Sequence, residues 1–488
     1  METDKIYKKN IGFYQKQINK CRAFSAAAKA QNPDTENVIN FVGCYVLGPA
    51  LFMFTRFLIL SAKKDNVQRI YFLARDGFLP YKAAKIIQSH YHINLDIRYL
   101  SLSRLSLNGA LLFTDKDYCF DYLFLSTKGL TSLGVLKRAG LTENEAKNFF
   151  YSLKTGFDIS APLTKPQKSK LKHALYTNAG FYELVKARSR GRFDLLIQYL
   201  KQEGLMDNTP FAIADSGWAG TTQYSLKLAL DKAGARPRFY GYYWGLYRYK
   251  AAFEQKYARC FYFYPCNGFF TKLYFNNNLI EAAFAAPHGT TIGYVKSGQS
   301  IQPLYSHEKL DLKLGAALEF VKSALANTNK KEFFCGNTKT ELKILKSLLK
   351  RLMYRPSPTE AKKVGSLYFT DDMFENKNKL DDMFENKNTL EYMIENKNTL
   401  EDMSENKNTL EDMSENKNTL EDMLDTKNTL EDMFDTKNTL LNKGWPRANI
   451  MLGKSGQPCF FIYNCLRHVK GTFLALKDRW VFKLESKT

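Results

Sequence analysis

Short apolar runs that end in polar, glycine-containing turns recur along the first half of the chain. The run at 70–73 ends at Arg75-Asp76-Gly77, and an amphipathic stretch follows it; the segment FAIADSGWAGTTQYSLKLALDKAG at 211–234 repeats this pattern. An apolar run of strand length, a turn and then a 3.6-residue periodicity predict a strand-loop-helix unit. The pattern therefore predicts two such units.

Two more apolar runs, at 97–104 and 238–247, predict further strands. A helix-length stretch separates 70–73 from 97–104, which is the spacing of a βαβ unit, so a parallel sheet is favoured. We therefore expect an α/β fold: a Rossmann-like, doubly wound, mostly parallel sheet. The mainly helical stretch at about 108–206 is expected to be a helical insertion, or cap, between strands.

The patterning divides the chain into five regions. They are an N-terminal helical segment (1–36), the Rossmann-like domain with its insertion (37–300), a helical C-terminal region (301–370), a repeat insert (371–440) and a structured tail (441–488). The repeats are seven near-identical decapeptides of the type EDMSENKNTL. Ten residues fall about 80° short of three helical turns, so their apolar stripe winds around the axis. We expect these tandem repeats to be an acidic, mobile insert.

One apolar stretch, at 38–62, is long enough to span a bilayer. It contains Asn40, Pro49 and Arg56 and leads directly into a predicted strand. A buried pair of core helices is the favoured interpretation, and membrane insertion or peripheral membrane contact is the alternative. The charged start METDKIYKKN has no signal-peptide pattern. We expect a cytoplasmic protein, with the inner face of the membrane as the alternative location.

The formal net charge of +22 hides two different regions. Residues 371–440 contain 20 acidic residues and 8 lysines, a net of −12, so the other 418 residues carry +34. A basic body fits a phosphate-bearing ligand or an anionic membrane surface. The lysines are scattered rather than gathered in one run, which is also typical of an ordinary solvated surface. We do not expect nucleic acid as a partner.

Ligands of an open parallel sheet bind beyond the carboxyl ends of its strands, so polar residues that follow apolar runs are candidate site residues. After the first run, Asp76 is a candidate nucleophile or magnesium ligand, Arg75 a phosphate-binding residue, and Gly77 the residue that allows a tight turn. The alternative is that Asp76 caps the following helix.

The second candidate loop is Asp215-Ser216-Gly217-Trp218-Ala219-Gly220-Thr221-Thr222. Two glycines and two threonines before a helix provide backbone amides, hydroxyls and a positive dipole end, which suit a phosphate. The candidate phosphate-binding residues are Gly217, Gly220, Thr221 and Thr222. Asp215 is a candidate catalytic carboxylate and metal ligand. The alternative is a tight turn with Trp218 packed as a plug.

Two further groups complete the candidate site. Ser101, Ser103 and Arg104 follow the second strand and are candidate phosphate-binding residues, with turn formation as the alternative for the serines. Glu281 and His288 lie close to a turn in LIEAAFAAPHGTTIGY. Such a pair suits acid/base catalysis, and the alternative is a surface carboxylate and a loop imidazole.

Four segments in order carry a family resemblance: YFLARDGFLPYKAAKII, YLSLSR, FAIADSGWAGTTQ and EAAFAAPHGTTIGY. Over about 38–300 the chain resembles bacterial proteins described as predicted haloacid dehalogenase (HAD)-superfamily hydrolases. The resemblance implies a HAD-like hydrolase or phosphotransfer protein that uses Mg²⁺ and acts on a phosphorylated sugar or nucleotide sugar in surface polysaccharide biosynthesis. It places Asp76 at the nucleophile position, Ser101 or Ser103 at the second motif, and Asp215 on the metal side.

The chain departs from the HAD pattern at one residue, because Phe78 stands where the family's first motif has a second Asp. A degenerate, non-catalytic partner of glycosyltransferases is therefore one alternative. The two main loops are also similar in order and shape to those of phosphoribosyltransferases, although Asp215-Ser216 replaces the usual acidic pair there. A phosphoribosyl- or glycosyl-transferase-like enzyme that uses an activated sugar phosphate is the other alternative.

Overall fold

The computed structural model describes residues 3–125, 130–249, 252–306, 315–336 and 338–367. The repeats predicted at 371–440 and the tail predicted at 441–488 lie outside the described residues. Everything below concerns the described part of the chain.

Seven strands are described: β1 Arg69–Leu73, β2 Asp96–Leu100, β3 Phe211–Trp218, β4 Tyr240–Leu246, β5 Ala258–Phe263, β6 Thr291–Ser297 and β7 Ser300–Tyr305. The first five form one parallel sheet in the order β2-β1-β3-β4-β5. The last two form a separate antiparallel hairpin. The prediction of an α/β fold with a Rossmann-like parallel sheet is confirmed.

The helices are α1 Thr3–Ile18, α2 Arg22–Gln31, α3 Val38–Val42, α4 Gly48–Lys64, α5 Phe78–Tyr91, α6 Arg104–Ala110, α7 Lys116–Leu123, α8 Ser132–Arg138, α9 Glu143–Ser152, α10 Lys165–Thr177, α11 Ala179–Gln202, α12 Thr221–Lys232, α13 Ala252–Tyr257, α14 Phe269–Tyr274, α15 Asn277–Phe284, α16 Gly315–Ala326, α17 Lys330–Cys335, α18 Lys339–Tyr354 and α19 Pro358–Val364. A π-helical turn, Gly43–Leu47, joins α3 to α4.

Helices cover both faces of the sheet. All five residues of β1 are buried, and alternate side chains point to opposite faces. Ile70 and Phe72 belong to the core shared with α4 and α5, whereas Tyr71 and Leu73 belong to the core shared with α11 and α12. Burial on both faces explains why the strand reads as a continuous apolar run rather than as an alternating one.

The second strand is shorter than its apolar pattern predicts. It ends at Leu100 instead of continuing to residue 104. The hydroxyl of Ser103 accepts a hydrogen bond from the amide of Ser106, and the Ser106 hydroxyl accepts one from the amide of Ser103, so a capping box starts α6 at Arg104. The cap redirects the chain before a longer strand can form.

The apolar stretch at 38–62 forms α3, the π-helical turn and most of α4. Val38–Lys64 is long and apolar enough to cross a membrane by length and composition, but 89% of its most apolar window is buried inside the protein. Arg56 is 3% exposed, and its guanidinium donates to the carbonyls of Glu332 and Phe333 and to the carboxylate of Glu341. Arg56 thus hydrogen-bonds carbonyl groups of α17 inside the protein. This agrees with the favoured interpretation of 38–62 as buried core helices.

The segment between β2 and β3 is helical, as predicted. Helices α7 to α10 and the first half of α11 share a hydrophobic core of their own, which includes Phe120, Leu136 and Phe181. The second half of α11 returns to the sheet through Leu196 and Leu200. The helical insertion is thus described, whereas its role as a cap stays a prediction.

Candidate functional site

The order of the strands creates a crevice between the ends of β1 and β3. The chain passes from β1 to β2 on one side and later returns to β3 on the other side, so the strand order reverses between β1 and β3. Ligands of doubly wound sheets bind at such a switch point. Pairing between the two strands ends at Phe72 and Ala214, and from Asp215 onward β3 pairs only with β4. The crevice opens at that residue.

Asp76 and the end of β3 meet in this crevice. The carboxylate of Asp76 accepts hydrogen bonds from the side chain and the backbone of Ser216. Asp215 and Ser216 still belong to β3, which continues to Trp218, so the predicted second loop begins inside a strand. The two predicted loops therefore converge through a residue that was not among the predicted site residues.

The turn after β1 requires Gly77. Its amide donates to the carbonyl of Leu73 at 2.9 Å, and a Cβ at this position would lie 2.3 Å from that same oxygen. The following helix, α5, has Gly77 as its N-cap and no side-chain cap. The alternative that Asp76 caps this helix is therefore wrong, and its carboxylate is directed to Ser216 instead.

Three carboxylates influence one another at the crevice. Burial raises the pKa of Asp215, and the charges of Asp76 and Glu281 raise it further, while Arg104 opposes them. Burial also raises the pKa of Asp76, against the hydrogen bonds from Ser216 and the charge of Arg75, which lower it. An arrangement of partly buried like charges favours a shared proton or a bound cation.

The space beneath the two aspartates is too small for a ligand. A cavity of about 10 Å³ lies there, and its lining includes Phe72, Trp244 and Phe284. This volume is about the minimum for one water molecule. This cavity therefore holds no ligand, and its apolar lining contributes to the burial that raises the pKa of both aspartates.

Glu281 and His288 flank the crevice and contact different partners. Glu281, on α15, accepts a hydrogen bond from the indole of Trp218. The His288 Nδ1 lies 2.8 Å from the carbonyl of Gly289, and its Nε2 lies 2.9 Å from the hydroxyl of Tyr99. A carbonyl only accepts, so Nδ1 carries the proton and Nε2 accepts from Tyr99.

The segment that carries His288 is fastened to the β1 loop. The amide of Ala286 donates to the carbonyl of Arg75 at 3.1 Å. Burial lowers the pKa of His288, and the nearby charge of Arg75 lowers it further, against the hydrogen bond to Gly289. The imidazole is therefore neutral near pH 7, as a proton acceptor must be.

Ser101 and Ser103 are engaged inside the protein. The Ser101 hydroxyl lies 2.6 Å from the hydroxyl of Tyr305, and the Ser103 hydroxyl donates to the carbonyl of Thr291 at 2.5 Å. Arg104 differs from them, because it is exposed and its charge acts on Asp215. Of this third group, Arg104 is the residue that stays a candidate phosphate ligand.

The first turn of α12 presents backbone amides at the same edge of the sheet. Its N-cap is Gly220 with φ +66°, and no side chain caps it. Thr221 and Thr222 form the start of the helix. Uncapped amides at a helix N-terminus suit an anion. Trp218 packs against Tyr247, Phe263 and Phe275, as the plug interpretation of this loop expects.

Two residues of the site escaped the sequence prediction. Ser216 lies within a predicted loop but carries no motif that singles out its hydroxyl from those of the neighbouring threonines. Tyr99 lies inside a predicted strand, two residues before Ser101. Tyr99 could have been identified by its position near the carboxyl end of β2, which pairs with β1.

Two aspartates are the donor set available for a magnesium ion. Among the described residues, no group of three or more His, Cys, Asp and Glu side chains is arranged to hold a metal. Mg²⁺, however, is commonly bound by one or two carboxylates together with waters and substrate phosphates. Asp76 and Asp215 fit this requirement, because a cation would relieve the repulsion that raises the pKa of Asp215.

No protein-family model matches this chain, and no curated protein compared with it matches either. The resemblance to HAD-superfamily hydrolases therefore rests on the four sequence motifs alone.

Proposed function

We propose that this protein is a magnesium-dependent, HAD-like hydrolase or phosphotransfer enzyme that acts on a phosphorylated sugar or nucleotide sugar in bacterial surface polysaccharide biosynthesis. One observation carries the proposal: Asp76, after β1, is bound to Ser216, so that the Asp76 and Asp215 carboxylates share the crevice at the switch point. Phosphoryl transfer through an acyl-phosphate intermediate uses a carboxylate as the nucleophile, and a second carboxylate beside it can share a cation with it.

Asp76 is the nucleophile of the proposed reaction. One carboxylate oxygen attacks phosphorus, the bond from phosphorus to the leaving oxygen breaks, and an acyl phosphate forms on Asp76. Water then attacks the phosphorus, which restores the carboxylate and releases phosphate from a sugar phosphate, or a phosphate monoester from a nucleotide sugar. Arg75, Arg104 and the amides at the start of α12 are the proposed ligands of the phosphate oxygens, which is supported by the uncapped helix start and by the charge of Arg104 on Asp215.

Magnesium, held by Asp76 and Asp215 together with waters and substrate oxygens, would neutralise charge on the phosphoryl group. The two carboxylates would also hold each other's orientation through Ser216.

The residue at position 78 bears on the substrate. Phe78 supplies no proton to the leaving oxygen, and its ring packs against Tyr99, 5.6 Å between ring centres. A sugar alkoxide leaves with difficulty without a proton, whereas a phosphate monoester leaves without one. The site therefore suits the pyrophosphate bond of a nucleotide sugar better than a simple sugar phosphate. For a sugar phosphate, the proton for the leaving oxygen would have to come from water, because the neutral His288 directs its one N–H to the carbonyl of Gly289.

A transferase is the second candidate. It is favoured by the uncapped start of α12, which fits the phosphate of an activated sugar. Such an enzyme would release pyrophosphate only when an acceptor is present. A non-catalytic partner of glycosyltransferases is the third candidate, and Phe78 in place of an acid favours it.

The products released from sugar phosphates, nucleotide sugars and phosphoribosyl pyrophosphate, measured with Mg²⁺, separate the three. From the wild type we expect a nucleoside monophosphate and a sugar phosphate when the substrate is a nucleotide sugar, or phosphate when it is a sugar phosphate. We expect loss of these products in Asp76→Asn and no change in Asp194→Asn, which makes the same substitution at an exposed position on α11. Release of pyrophosphate that depends on an acceptor would contradict the hydrolase and support the transferase. If the folded protein releases none of these products, the non-catalytic partner is the remaining candidate.

A further inference from the structure

A second cavity lies beside the edge strand β5, between α14 and α18. Its volume is about 180 Å³. A water molecule occupies about 30 Å³ in the liquid, so the cavity holds about six waters, or one ring the size of a monosaccharide. Its lining includes Tyr262, Tyr274, Phe275, Lys346, Lys350 and Met353, and it shares no residue with the cavity beneath Asp76 and Asp215.

The floor of this cavity is apolar and fixed. Phe275 is 5% exposed and Met353 is 2% exposed. The amide of Asn276 donates to the sulfur of Met353 at 3.2 Å, which ties the start of α15 to α18. The cavity is therefore part of the packed structure and needs no rearrangement to form.

The rim of the cavity carries two cations one helical turn apart. The Lys350 ammonium lies 4.0 Å from the centre of the Tyr274 ring, and the Lys346 ammonium lies 5.8 Å from the centre of the Tyr262 ring. Neither forms an ion pair with a carboxylate in the described part of the chain, whereas Lys322 on α16 pairs with Glu319 at 2.7 Å. Two ammonium groups without an acidic partner, held over aromatic faces, leave their positive charge for a ligand.

We propose that this cavity binds a phosphorylated monosaccharide, at a site separate from the Asp76 and Asp215 crevice. Lys346 and Lys350 are spaced by four residues on one helix face, so both ammonium groups can contact one phosphate. The rings of Tyr262 and Tyr274 offer apolar faces to a sugar ring, as small-ligand sites commonly do. The volume matches one monosaccharide ring, so the nucleoside of a nucleotide sugar would lie outside the cavity. This inference goes beyond the proposed reaction and does not depend on turnover.

The cavity lies one ring away from the proposed catalytic loop. The Phe275 ring, which forms part of the cavity floor, lies 5.6 Å from the ring of Trp218. Trp218 in turn donates to Glu281 at the crevice. Binding is therefore expected to change the fluorescence of Trp218, which provides a second readout.

The test is a calorimetric titration of the full chain with glucose 1-phosphate, without Mg²⁺. Lys346→Met and Lys350→Met keep the helix and the aliphatic chain but remove the charge. Lys343→Met is the matched control, because Lys343 is exposed on the same helix and lies outside the cavity. Each rim variant is expected to weaken binding about tenfold, the usual effect of one charge-assisted hydrogen bond, and the control to change it less than about twofold.

Two outcomes would overturn the inference. One is wild-type affinity in both rim variants, and the other is equal affinity for inorganic phosphate and glucose 1-phosphate, since the rings would then contribute nothing. Asp76→Asn separates this inference from the proposed function. Lysine-dependent binding that persists in Asp76→Asn supports the second site whether or not the wild type releases phosphate.

Discussion

The Asp76 carboxylate is bound by the hydroxyl and the backbone of Ser216, across the gap between β1 and β3. These two residues are 140 positions apart in the chain, and the contact joins the two loops that flank the switch point. Both hydrogen bonds favour the charged form of Asp76, because a carboxylate accepts more strongly than a carboxylic acid. Ser216 thus opposes the burial that raises the pKa of Asp76.

Removal of this hydroxyl should raise the pKa of Asp76 and weaken the protein. For Ser216→Ala we expect a loss of about 1 kcal/mol in the free energy of unfolding above neutral pH, and a smaller loss near pH 3, below the raised pKa of Asp76, where this carboxyl group is protonated in both proteins. Urea denaturation at several pH values measures it. Ser152→Ala is the control, since that hydroxyl is exposed and bonds locally to the carbonyl of Phe149. An identical loss at both pH values would contradict the assignment.

Gly217 holds the end of β3 against β4. Its φ is +111°, and a Cβ there would lie 2.4 Å from the carbonyl oxygen of Gly245. We expect Gly217→Ala to cost about 3 kcal/mol or more, because left-handed strain and a backbone clash add. Gly156→Ala is the matched control: its φ is +79°, but nothing lies within 4 Å, so only the strain of about 1 kcal/mol should appear. Equal losses in the two variants would show that the clash is relieved.

The apolar runs that became β1, β3 and β4 could be predicted because each is buried on both faces and ends at glycine or a charged residue. The order of these strands could not. β1 and β3 are neighbours although more than 130 residues separate them, and that pairing is decided by tertiary packing rather than by local pattern. β5 was not predicted, since its short run follows directly on α13 and contains Arg259, which no turn signal sets apart.

The candidate site was also only partly predictable from the sequence. A rule about strand ends was sufficient to select Asp76 and Asp215, and the structure brings them into one crevice. The same rule selected Ser101 and Ser103, whose hydroxyls bond to Tyr305 and to the carbonyl of Thr291 on the hairpin. Sequence alone does not reveal that the hairpin covers them, because its hydrogen bonds to Ser101 and Ser103 span about 190 to 200 positions.

Glu360 fastens the first helix to the last described one. It is fully buried, and its carboxylate accepts from Asn10 at 2.6 Å, from Tyr14 at 2.7 Å and from the amide and hydroxyl of Ser357, each at 2.7 Å. Glu360→Ala leaves these donors buried without an acceptor, so we expect a loss on the order of 3 kcal/mol. Amide hydrogen exchange should then quicken in α1 as well as in α19.

The control for Glu360 is Glu319→Ala, which removes an exposed carboxylate paired with Lys322. Its expected loss is below about 0.5 kcal/mol, with no change of exchange in α1. Faster exchange confined to α19 in the Glu360 variant would mean that α1 is held by its apolar contacts alone.

Asp215 should make the protein less stable as pH rises, because its pKa and that of Asp76 lie above the ordinary 3.8 in the folded state. The folded protein then holds more protons than the unfolded chain above about pH 4, and the free energy of unfolding falls as pH rises through the raised pKa. Asp215→Asn removes one of the repelling charges. At about pH 8 the free energy of unfolding of Asp215→Asn should exceed that of the wild type by roughly 1 kcal/mol. Near pH 4 the two proteins should differ little.

Magnesium should reverse this order if the two aspartates bind it. The ion binds the folded state only, so it should raise the melting temperature of the wild type at about pH 8 and have a much smaller effect on Asp215→Asn. Asp194→Asn should follow the wild type in both measurements, since its carboxylate is exposed on α11. If the free energy of unfolding falls equally with pH in the wild type and in Asp215→Asn, the two aspartates do not repel each other. The proposed metal site would then lose its support. A pH difference without a magnesium effect would instead indicate that the two aspartates share a proton.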